Sequence, residues 1–325
     1  MNVEQEFKDK LPKYKKLENE VKFIINDELE TRNIKIHSIL SRIKKYDSFS
    51  DKINRKEFKK PFDEIKDIVG IRVVVLLRSD LKKIETLINE HFDVISSDNK
   101  IDNMDTASFG YMSNHFIVKL KDVYHGPRYK FIKDLVCEIQ IRTIAMDAWA
   151  TISHYLDYKT DHDVPNELKK DFYALSGLFY VADTHFELFY KERIESKITT
   201  KSNINKNKNI EINLDTLSVY LKDKFPDRVI SQSNTISELL NDIYNYGYTS
   251  INQLNNDIDI AFDAFLKYEN KHPPHSEEGR KFHDVGIVRG IMKIIKSSET
   301  PHSNFTKFIK KNLALNKINN FSKHP

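Results

Sequence analysis

The chain has 325 residues, of which 39% are hydrophobic and 31% are charged, and this length is typical of about two domains. The apolar content is sufficient for a folded core, so global disorder is excluded. No apolar run approaches the roughly 18 residues that a membrane span needs, and the first residues lack the apolar stretch of a signal peptide. We therefore expect a cytoplasmic protein without a membrane partner. Cys137 is the one cysteine, which excludes internal disulfides and cysteine-rich zinc sites.

The net charge of +4 is too small to indicate a polyanionic partner by itself. The basic residues are nevertheless unevenly distributed. Residues 41–60 contain eight Lys or Arg against three Asp or Glu, and residues 301–325 contain five Lys and no acid. Both stretches are candidate polyanion-binding surfaces, and a solvated helix face is the alternative for each of them.

Hydrophobic spacing predicts the first elements of the chain. Residues 1–40 have apolar positions at three- and four-residue steps, which predicts a helix. The β-branched run at 68–77 is typical of a buried strand. Residues 81–92 return to helical spacing, so we expect a second helix there.

A pair of strands is predicted next. Residues 115–121 and 135–142 both alternate between apolar and polar positions, as strands do. The loop between them contains Gly126 and Pro127, which favours an antiparallel hairpin. Helices are expected from Ile144 onward.

A change of composition divides the chain at residues 197–213. This segment is rich in Lys and Asn and poor in large apolar residues, which is typical of a linker. Residues 1–196 precede it and contain all the predicted strands. Residues 214–325 follow it with helical spacing, which predicts a small α-helical domain. Oligomerisation, autoinhibition and binding of a regulatory protein all fit this accessory domain.

One group of basic residues has the spacing of a helix face. Its members, at steps of four, four and three residues, are Lys44, Ser48, Lys52 and Arg55, and Arg42 precedes them. Side chains at these steps share one face of a helix. Lysine supplies point charges and arginine a planar fork, so this mixture suits the phosphates of a nucleotide. A solvated basic helix is the alternative.

Charged residues also lie within the predicted strands. Asp67 and Arg72 flank and interrupt the apolar run, where a charge is costly unless a partner or ligand pairs with it. Glu138, Gln140 and Arg142 alternate with apolar residues, which makes one strand face polar. An internal ion pair and a solvent-facing edge strand are the alternatives. Two carboxylates beside cations would suit a Mg²⁺-nucleotide site in which one carboxylate deprotonates an attacking hydroxyl.

Four segments resemble the synthetase domain of RelA/SpoT-type pyrophosphokinases, a family that includes the small alarmone synthetases. They are RxKxxxSxxxK at 42–52, DIVGIRVVV at 67–75, GYMSNHFIV at 110–118 and EIQIRTIAMDAWATISHYLDYK at 138–159. They occur in the family's order, and the resemblance covers residues 15–195. It implies an α+β, nucleotidyltransferase-like fold with a mixed β-sheet flanked by helices, here followed by the small C-terminal α-helical domain.

The resemblance also implies an activity and a set of site residues. The family transfers the β,γ-pyrophosphate of ATP to a ribose 3′-hydroxyl, usually that of GDP or GTP, with Mg²⁺. The residues implied to bind ATP are Arg42, Lys44, Ser48, Lys52, Arg55 and Arg72. Asp67 is implied to bind Mg²⁺, and Glu138 to bind Mg²⁺ or to act as the base. The residues implied to bind the acceptor are Tyr111, His115, Gln140 and Arg142.

The acceptor half departs from the family pattern at two positions. Ala107 stands where these synthetases usually have a lysine, and Met112 stands where a polar or basic residue often follows the stacking tyrosine. Fewer cations weaken the binding of a 5′-diphosphate. Some family members are toxins that pyrophosphorylate the 3′-terminal adenosine of tRNA. The family's main activity predicts GDP or GTP as the acceptor. The two departures and the appended domain motivate the alternative, a toxin or phage-defence effector that modifies tRNA and blocks translation. A non-catalytic nucleotide-binding regulator is a lesser alternative.

Overall fold

The computed structural model describes residues 2–99, 113–156, 164–204, 209–274 and 281–296. The chain divides into two compact units, Met1–Phe189 and Tyr190–Pro325. Among the helices in these described ranges, none is long and apolar enough to cross a membrane.

The described strands of the first unit form one mixed sheet. Their bounds are β1 Ile36–Ile43, β2 Val69–Val75, β3 Phe92–Asn99, β4 Asn114–Leu120 and β5 Cys137–Thr143. The order across the sheet is β1-β2-β5-β4-β3. β2 and β5 are parallel, whereas the other neighbouring strands are antiparallel. β5 is therefore the central strand, although it is the last of the five in sequence.

Helices cover one face of this sheet. The bounds in the first unit are α1 Val3–Thr31, α2 Tyr46–Lys56, α3 Pro61–Glu64, α4 Arg78–His91 and α5 Ile144–Tyr155, and α6 spans Asn166–Ile204. Leu17 and Val21 of α1 and Ile84 of α4 join one hydrophobic core with Ile71 and Ile139 of the sheet. The sheet residues that alternate with this buried set face the opposite side, where the polar residues lie.

The second unit is helical and has a hydrophobic core of its own. Its described helices are α7 Leu214–Lys224, α8 Ser233–Asn245, α9 Ile251–Lys271 and α10 Asp284–Lys296. Leu217, Leu239, Leu254 and Ile291 are completely buried in this core. These helices all lie within 214–325, and the limits of the accessory domain stay a prediction.

Several sequence predictions are confirmed by the strands. The run at 68–77 contains β2, and the predicted hairpin is the antiparallel pair of β4 and β5. The helix over residues 81–92 corresponds to α4. The mixed sheet with flanking helices agrees with the expected α+β class.

Other predictions were wrong. The helix expected over residues 1–40 ends at Thr31, and residues Ile36–Ile43 form β1. Asn33 has a positive φ of 51°, a conformation that interrupts a helix and that asparagine tolerates. β3 was not predicted, because a strand at the edge of a sheet needs few apolar residues. α6 continues to Ile204, so residues 197–204 are helical, in a segment without Gly or Pro. A linker at 197–213 stays a prediction.

Candidate active site

The polar face of the sheet brings the predicted site residues together. Strand pairing places Arg42 beside Gly70, Gly70 beside Glu138, and His115 beside Gln140. A cleft of about 200 Å³ lies on this face and is lined by Leu40, Ser41, Arg42, Gly70, Ile71, Arg72, Glu138 and Gln140. Because β5 is central, Glu138 and Gln140 form the floor of a cleft, and the edge-strand alternative is wrong.

The carboxylate of Asp67 lies between two lysines. Lys44 Nζ is 3.0 Å from Oδ2, and Lys52 Nζ donates to Oδ1 at 2.9 Å. The Lys44 backbone N–H donates to the Ile68 carbonyl at 2.8 Å, which holds the end of β1 beside the start of β2. Burial raises the pKa of Asp67, but the hydrogen bonds and charges of Lys52 and Lys44 outweigh it, so the pKa lies below its ordinary value.

The basic group is not a single helix face, in contrast to the prediction. α2 begins at residue 46, so Lys44 precedes the helix and Arg42 lies on β1. Lys44, which follows β1, and Lys52, which lies on α2, nevertheless contact the same carboxylate, that of Asp67. Ser48 and Arg55 do lie on α2, where both are exposed. Their contact with ATP phosphates stays a prediction.

Glu138 is held by two neighbouring polar side chains. His115 Nδ1 lies 3.0 Å from its Oε1, and Gln140 Nε2 donates to its Oε2 at 2.8 Å. Ser113 Oγ lies 2.7 Å from the other ring nitrogen of His115. Burial raises the pKa of Glu138, but the contacts with His115 and Gln140 outweigh this effect. The pKa of Glu138 therefore lies below its ordinary value. The nearby charge of Asp67 acts in the raising direction, which is the effect of a second carboxylate close by.

An aspartate on α5 joins two arginines of the sheet. Asp147 Oδ1 lies 3.0 Å from Arg72 Nη1 and 3.1 Å from Arg142 Nη1. Arg142 is 1% exposed, and burial together with the charge of Arg72 lowers the pKa of Arg142 to about 10. The sequence prediction missed Asp147. A signal for it exists, because it is the one charged residue in the apolar segment IAMDAWA. Asp67 and Arg72 are both ion-paired, but with different partners.

The two carboxylates fit the chemistry of Mg²⁺. Within the described ranges, no group of three or more His, Cys, Asp or Glu side chains could hold a metal ion. Asp67 and Glu138 offer hard oxygen donors, and the lowered pKa of each favours the ionised form. Mg²⁺ is usually bound through one or two carboxylates together with substrate phosphates. These residues therefore suit an ion that arrives with a nucleotide.

Part of the acceptor site lies outside the described residues. This applies to Tyr111, Ala107 and Met112. The stacking of Tyr111 on an acceptor base stays a prediction.

Sequence comparisons identify relatives over the region that contains this cleft. Residues 41–163 match the family described as "Region found in RelA / SpoT proteins". GTP pyrophosphokinase YwaC of Bacillus subtilis (strain 168) is 31% identical over 147 residues, which cover 44% of this chain and 68% of YwaC. GTP pyrophosphokinase YjbM of the same organism is 30% identical over 145 residues, covering 44% of this chain and 66% of YjbM.

Solved structures were also found. A GTP pyrophosphokinase family protein from Streptococcus pneumoniae is 27% identical, with a TM-score of 0.49 over 60% of this chain and 97% of that chain. Small alarmone synthetase 1 from Bacillus subtilis, bound to its product pppGpp, is 25% identical, with a TM-score of 0.47 over 58% of this chain and 98% of that chain.

The match to YwaC decides the family. Both curated relatives are transferases by name, which confirms the predicted enzyme class, a pyrophosphokinase. The identity to YwaC extends over more than two thirds of that protein, and the family match covers the strands that carry Arg72 and Glu138. The chain belongs to the RelA/SpoT family.

Proposed function

We propose that this chain is an ATP-dependent pyrophosphokinase that transfers the β,γ-pyrophosphate of ATP to the ribose 3′-hydroxyl of GDP or GTP. The observation that carries the proposal is the pair of ionised carboxylates, Asp67 held by two lysines and Glu138 held by His115 and Gln140. They lie close enough for the charge of Asp67 to act on the pKa of Glu138. The curated relatives are named GTP pyrophosphokinases, which supports a guanine nucleotide as the acceptor. These nucleotides are cytoplasmic, so the proposal places the reaction in the cytoplasm.

The donor side of the cleft has the groups that ATP needs. Arg42 on β1 and Arg72 on β2 line the cleft, and a planar guanidinium can stack on the adenine ring. Lys44 and Lys52 place two positive charges beside Asp67 and favour its ionised form. Asp67 and Glu138 would hold Mg²⁺, which neutralises phosphate charge when it is bound.

The reaction is an in-line displacement at the β-phosphorus of ATP. The 3′-hydroxyl oxygen of the acceptor forms a bond to this phosphorus. The bond from the phosphorus to the oxygen bridging the α and β positions breaks, and AMP leaves with that electron pair. The hydroxyl proton moves to the carboxylate of Glu138, which acts as the general base. His115 and Gln140 hold both oxygens of Glu138 and so keep the base oriented.

Among the described residues on the acceptor side, we distinguish those that would contact the acceptor from one that would support them. His115 and Gln140 are half-buried, and we propose that they face the acceptor while they hold Glu138. Arg142 is 1% exposed and donates from Nη2 to Gln140 Oε1 at 2.9 Å. We propose that Arg142 supports the acceptor site through Gln140 and does not touch the acceptor.

The test is a transfer assay with ATP labelled on its γ-phosphate. GDP, GTP, AMP and bulk tRNA are offered separately, and the products are resolved by thin-layer chromatography for the wild type and for Glu138→Gln. Label on a guanine nucleotide, lost in the variant, supports the proposal. Label on tRNA would establish the alternative acceptor. No transfer to any acceptor would favour the non-catalytic regulator.

For residues 214–325 we propose a regulatory or oligomerisation role. The support is that the second unit buries its own hydrophobic cluster, which shares no residue with the core around the sheet. A chain ending at Ile204 keeps all of α6 and all of the strands. We expect its transfer rate or its oligomeric mass to differ from that of the full chain, as measured by the labelling assay and by light scattering. Identical values in both measurements would contradict this role.

A further inference from the structure

Seven side chains form a continuous series of polar contacts, and three of them, Arg72, Gln140 and Glu138, line the cleft. In order they are Arg72, Asp147, Arg142, Gln140, Glu138, His115 and Ser113, and the successive distances are 3.0, 3.1, 2.9, 2.8, 3.0 and 2.7 Å. The series begins at an arginine on the proposed ATP side. It passes through the proposed base and ends beside the segment that contains the predicted acceptor-binding tyrosine.

The chemistry of the groups fixes the direction of the central contacts. An arginine side chain can only donate hydrogen bonds, so Gln140 must present its carbonyl oxygen to Arg142. The amide NH₂ of Gln140 is then directed to Glu138. An inverted amide would place the NH₂ against the guanidinium and the carbonyl oxygen against the carboxylate, and both contacts would be repulsive. The orientation of Gln140, and with it one contact of Glu138, therefore depends on the position of Arg142.

The position of Arg142 depends in turn on Asp147. Arg142 is 1% exposed, and a buried cation needs a counter-charge. Its ion pair is with Asp147 Oδ1, the same oxygen that Arg72 contacts. One carboxylate oxygen is thus shared between two cations. A change at Arg72 therefore acts on the same oxygen that holds Arg142, and through Arg142 on Gln140.

We propose that Asp147 is a positioning residue that links the ATP-side arginine Arg72 to the general base Glu138, through Arg142 and Gln140. The proposal rests on the proposed function, since it takes Arg72 as part of the ATP site and Glu138 as the base. Asp147 lies on α5 and forms ion pairs with Arg72 and Arg142. We expect it to act on the reaction by holding these two arginines, of which Arg72 would contact ATP and Arg142 would orient Gln140.

The test compares Asp147→Asn with Asp147→Glu in the labelling assay. Asparagine is nearly isosteric but neutral, so we expect kcat to fall about tenfold or more and the KM for ATP to rise several-fold. Glutamate keeps the charge and is expected to recover part of kcat. Asp122→Asn is the matched control, because Asp122 is an exposed aspartate paired with Lys133 on the surface. The control is expected to match the wild type.

A double-variant cycle separates positioning from a merely structural effect. If Asp147 acts through Gln140, then Asp147→Asn has little further effect on kcat in a Gln140→Ala background, and the two losses are not additive. Additive losses would overturn the proposal. So would an Asp147→Asn variant whose kcat and ATP KM stay within about twofold of the wild type.

If Asp147→Asn does not fold, Arg72→Gln tests the same link from the other end, and it must lower kcat as well as raise the KM for ATP. An effect of Arg72→Gln on KM alone would overturn the proposal. A wild-type chain that transfers pyrophosphate to no acceptor would overturn the proposed function, and this inference with it. Normal wild-type transfer with unaffected variants would overturn the inference alone.

Discussion

Lys52 on α2 donates a hydrogen bond of 2.9 Å to Asp67, two residues before β2. This contact joins α2 to the residues that lead into β2, the strand that carries Arg72 on the proposed donor side of the cleft. Lys44 binds the other oxygen of the same carboxylate. Two cations and one anion leave a net positive charge at this position, and a polyphosphate can use that charge.

The first prediction concerns Lys52. Lys52→Ala removes one of the two ammonium groups beside Asp67, and we expect the KM for ATP to rise about tenfold, which is the effect of losing one charge-assisted hydrogen bond to phosphate. The matched control is Lys45→Ala, since Lys45 is exposed at the start of the same helix. Steady-state kinetics with varied ATP provide the measurement. An equal rise in KM for both variants would indicate a general surface-charge effect.

The second prediction concerns Glu138. Glu138→Gln keeps the size of the side chain but removes the basic carboxylate, so we expect kcat to fall by about 10² to 10⁴. Binding of a non-hydrolysable ATP analogue, measured by calorimetry, is expected to persist in the variant. Glu85→Gln, at a surface pair with Lys82 on α4, is the control. A Glu138→Gln variant with wild-type kcat would exclude Glu138 as the base.

The third prediction concerns the buried pair of Glu269 and Arg228 in the second unit. Arg228 donates to both oxygens of Glu269 at 2.7 and 2.8 Å. Burial raises the pKa of Glu269, but the contacts with Arg228 and the Phe282 N–H outweigh it, so the folded-state pKa lies below the ordinary 4.5. A lowered carboxyl pKa stabilises the folded state above the unfolded-state value, and this contribution disappears as the pH falls through the folded-state pKa.

We therefore expect the stability of the second unit to decline as the pH falls below about 4.5. Glu269→Gln removes the titrating group, so its destabilisation relative to the wild type should be largest near neutral pH and should shrink in acid. Hydrogen exchange of the α9 and α10 amides, followed by mass spectrometry, measures this unit separately. A constant difference between the two proteins from pH 7 to pH 3 would contradict the expectation.

The fourth prediction concerns the start of α5. Thr143 Oγ1 accepts from the Met146 N–H at 3.2 Å and donates to Asp183 Oδ2 at 3.0 Å. Thr143→Ala removes the helix cap and one partner of a buried carboxyl group, so we expect a loss of about 1–3 kcal/mol in the free energy of unfolding.

Urea denaturation followed by tryptophan fluorescence measures this loss, because Trp149 is the one tryptophan of the chain and lies on α5. Thr143→Ser keeps the hydroxyl and is the control, with an expected loss of less than about 1 kcal/mol. Equal destabilisation in both variants would mean that the methyl group of Thr143, and not its hydroxyl, supports the helix.

The sequence predicted the strands that carry a strong hydrophobic signal. The run of buried residues in β2 and the period-two alternation of β4 and β5 are both visible without a structure. Residues 36–40 of β1 were assigned to a helix because the apolar spacing of the preceding residues was extended to residue 40. β3 has few apolar residues, so its composition did not indicate a strand or its pairing with β4.

The candidate site was predicted in part. Asp67 was identified because a charge beside an apolar strand is costly, and Glu138 because it alternates with apolar residues along its strand. The convergence of Lys44 and Lys52 on Asp67 depends on the turn after β1, which helical spacing alone could not predict. Asp147 was missed because its role depends on Arg72 and Arg142, which lie on two different strands. Which strands are neighbours in a sheet depends on the tertiary structure, so the residue pattern of one strand cannot predict a contact that joins two strands.

The place of β5 in the sheet has a consequence for how the protein is made. β1 can pair with β2, and β3 with β4, before residue 137 leaves the ribosome, but these two pairs have no common partner until β5 enters between them. Parallel pairing of β2 with β5 joins residues far apart in sequence, and such contacts form slowly. Glu138 arrives on this last strand, so a partly synthesised chain has Lys44, Lys52, Arg42 and Arg72 but lacks the carboxylate that we propose as the base. Under the proposed function, we expect the nascent protein to have no transfer activity until its sheet is closed.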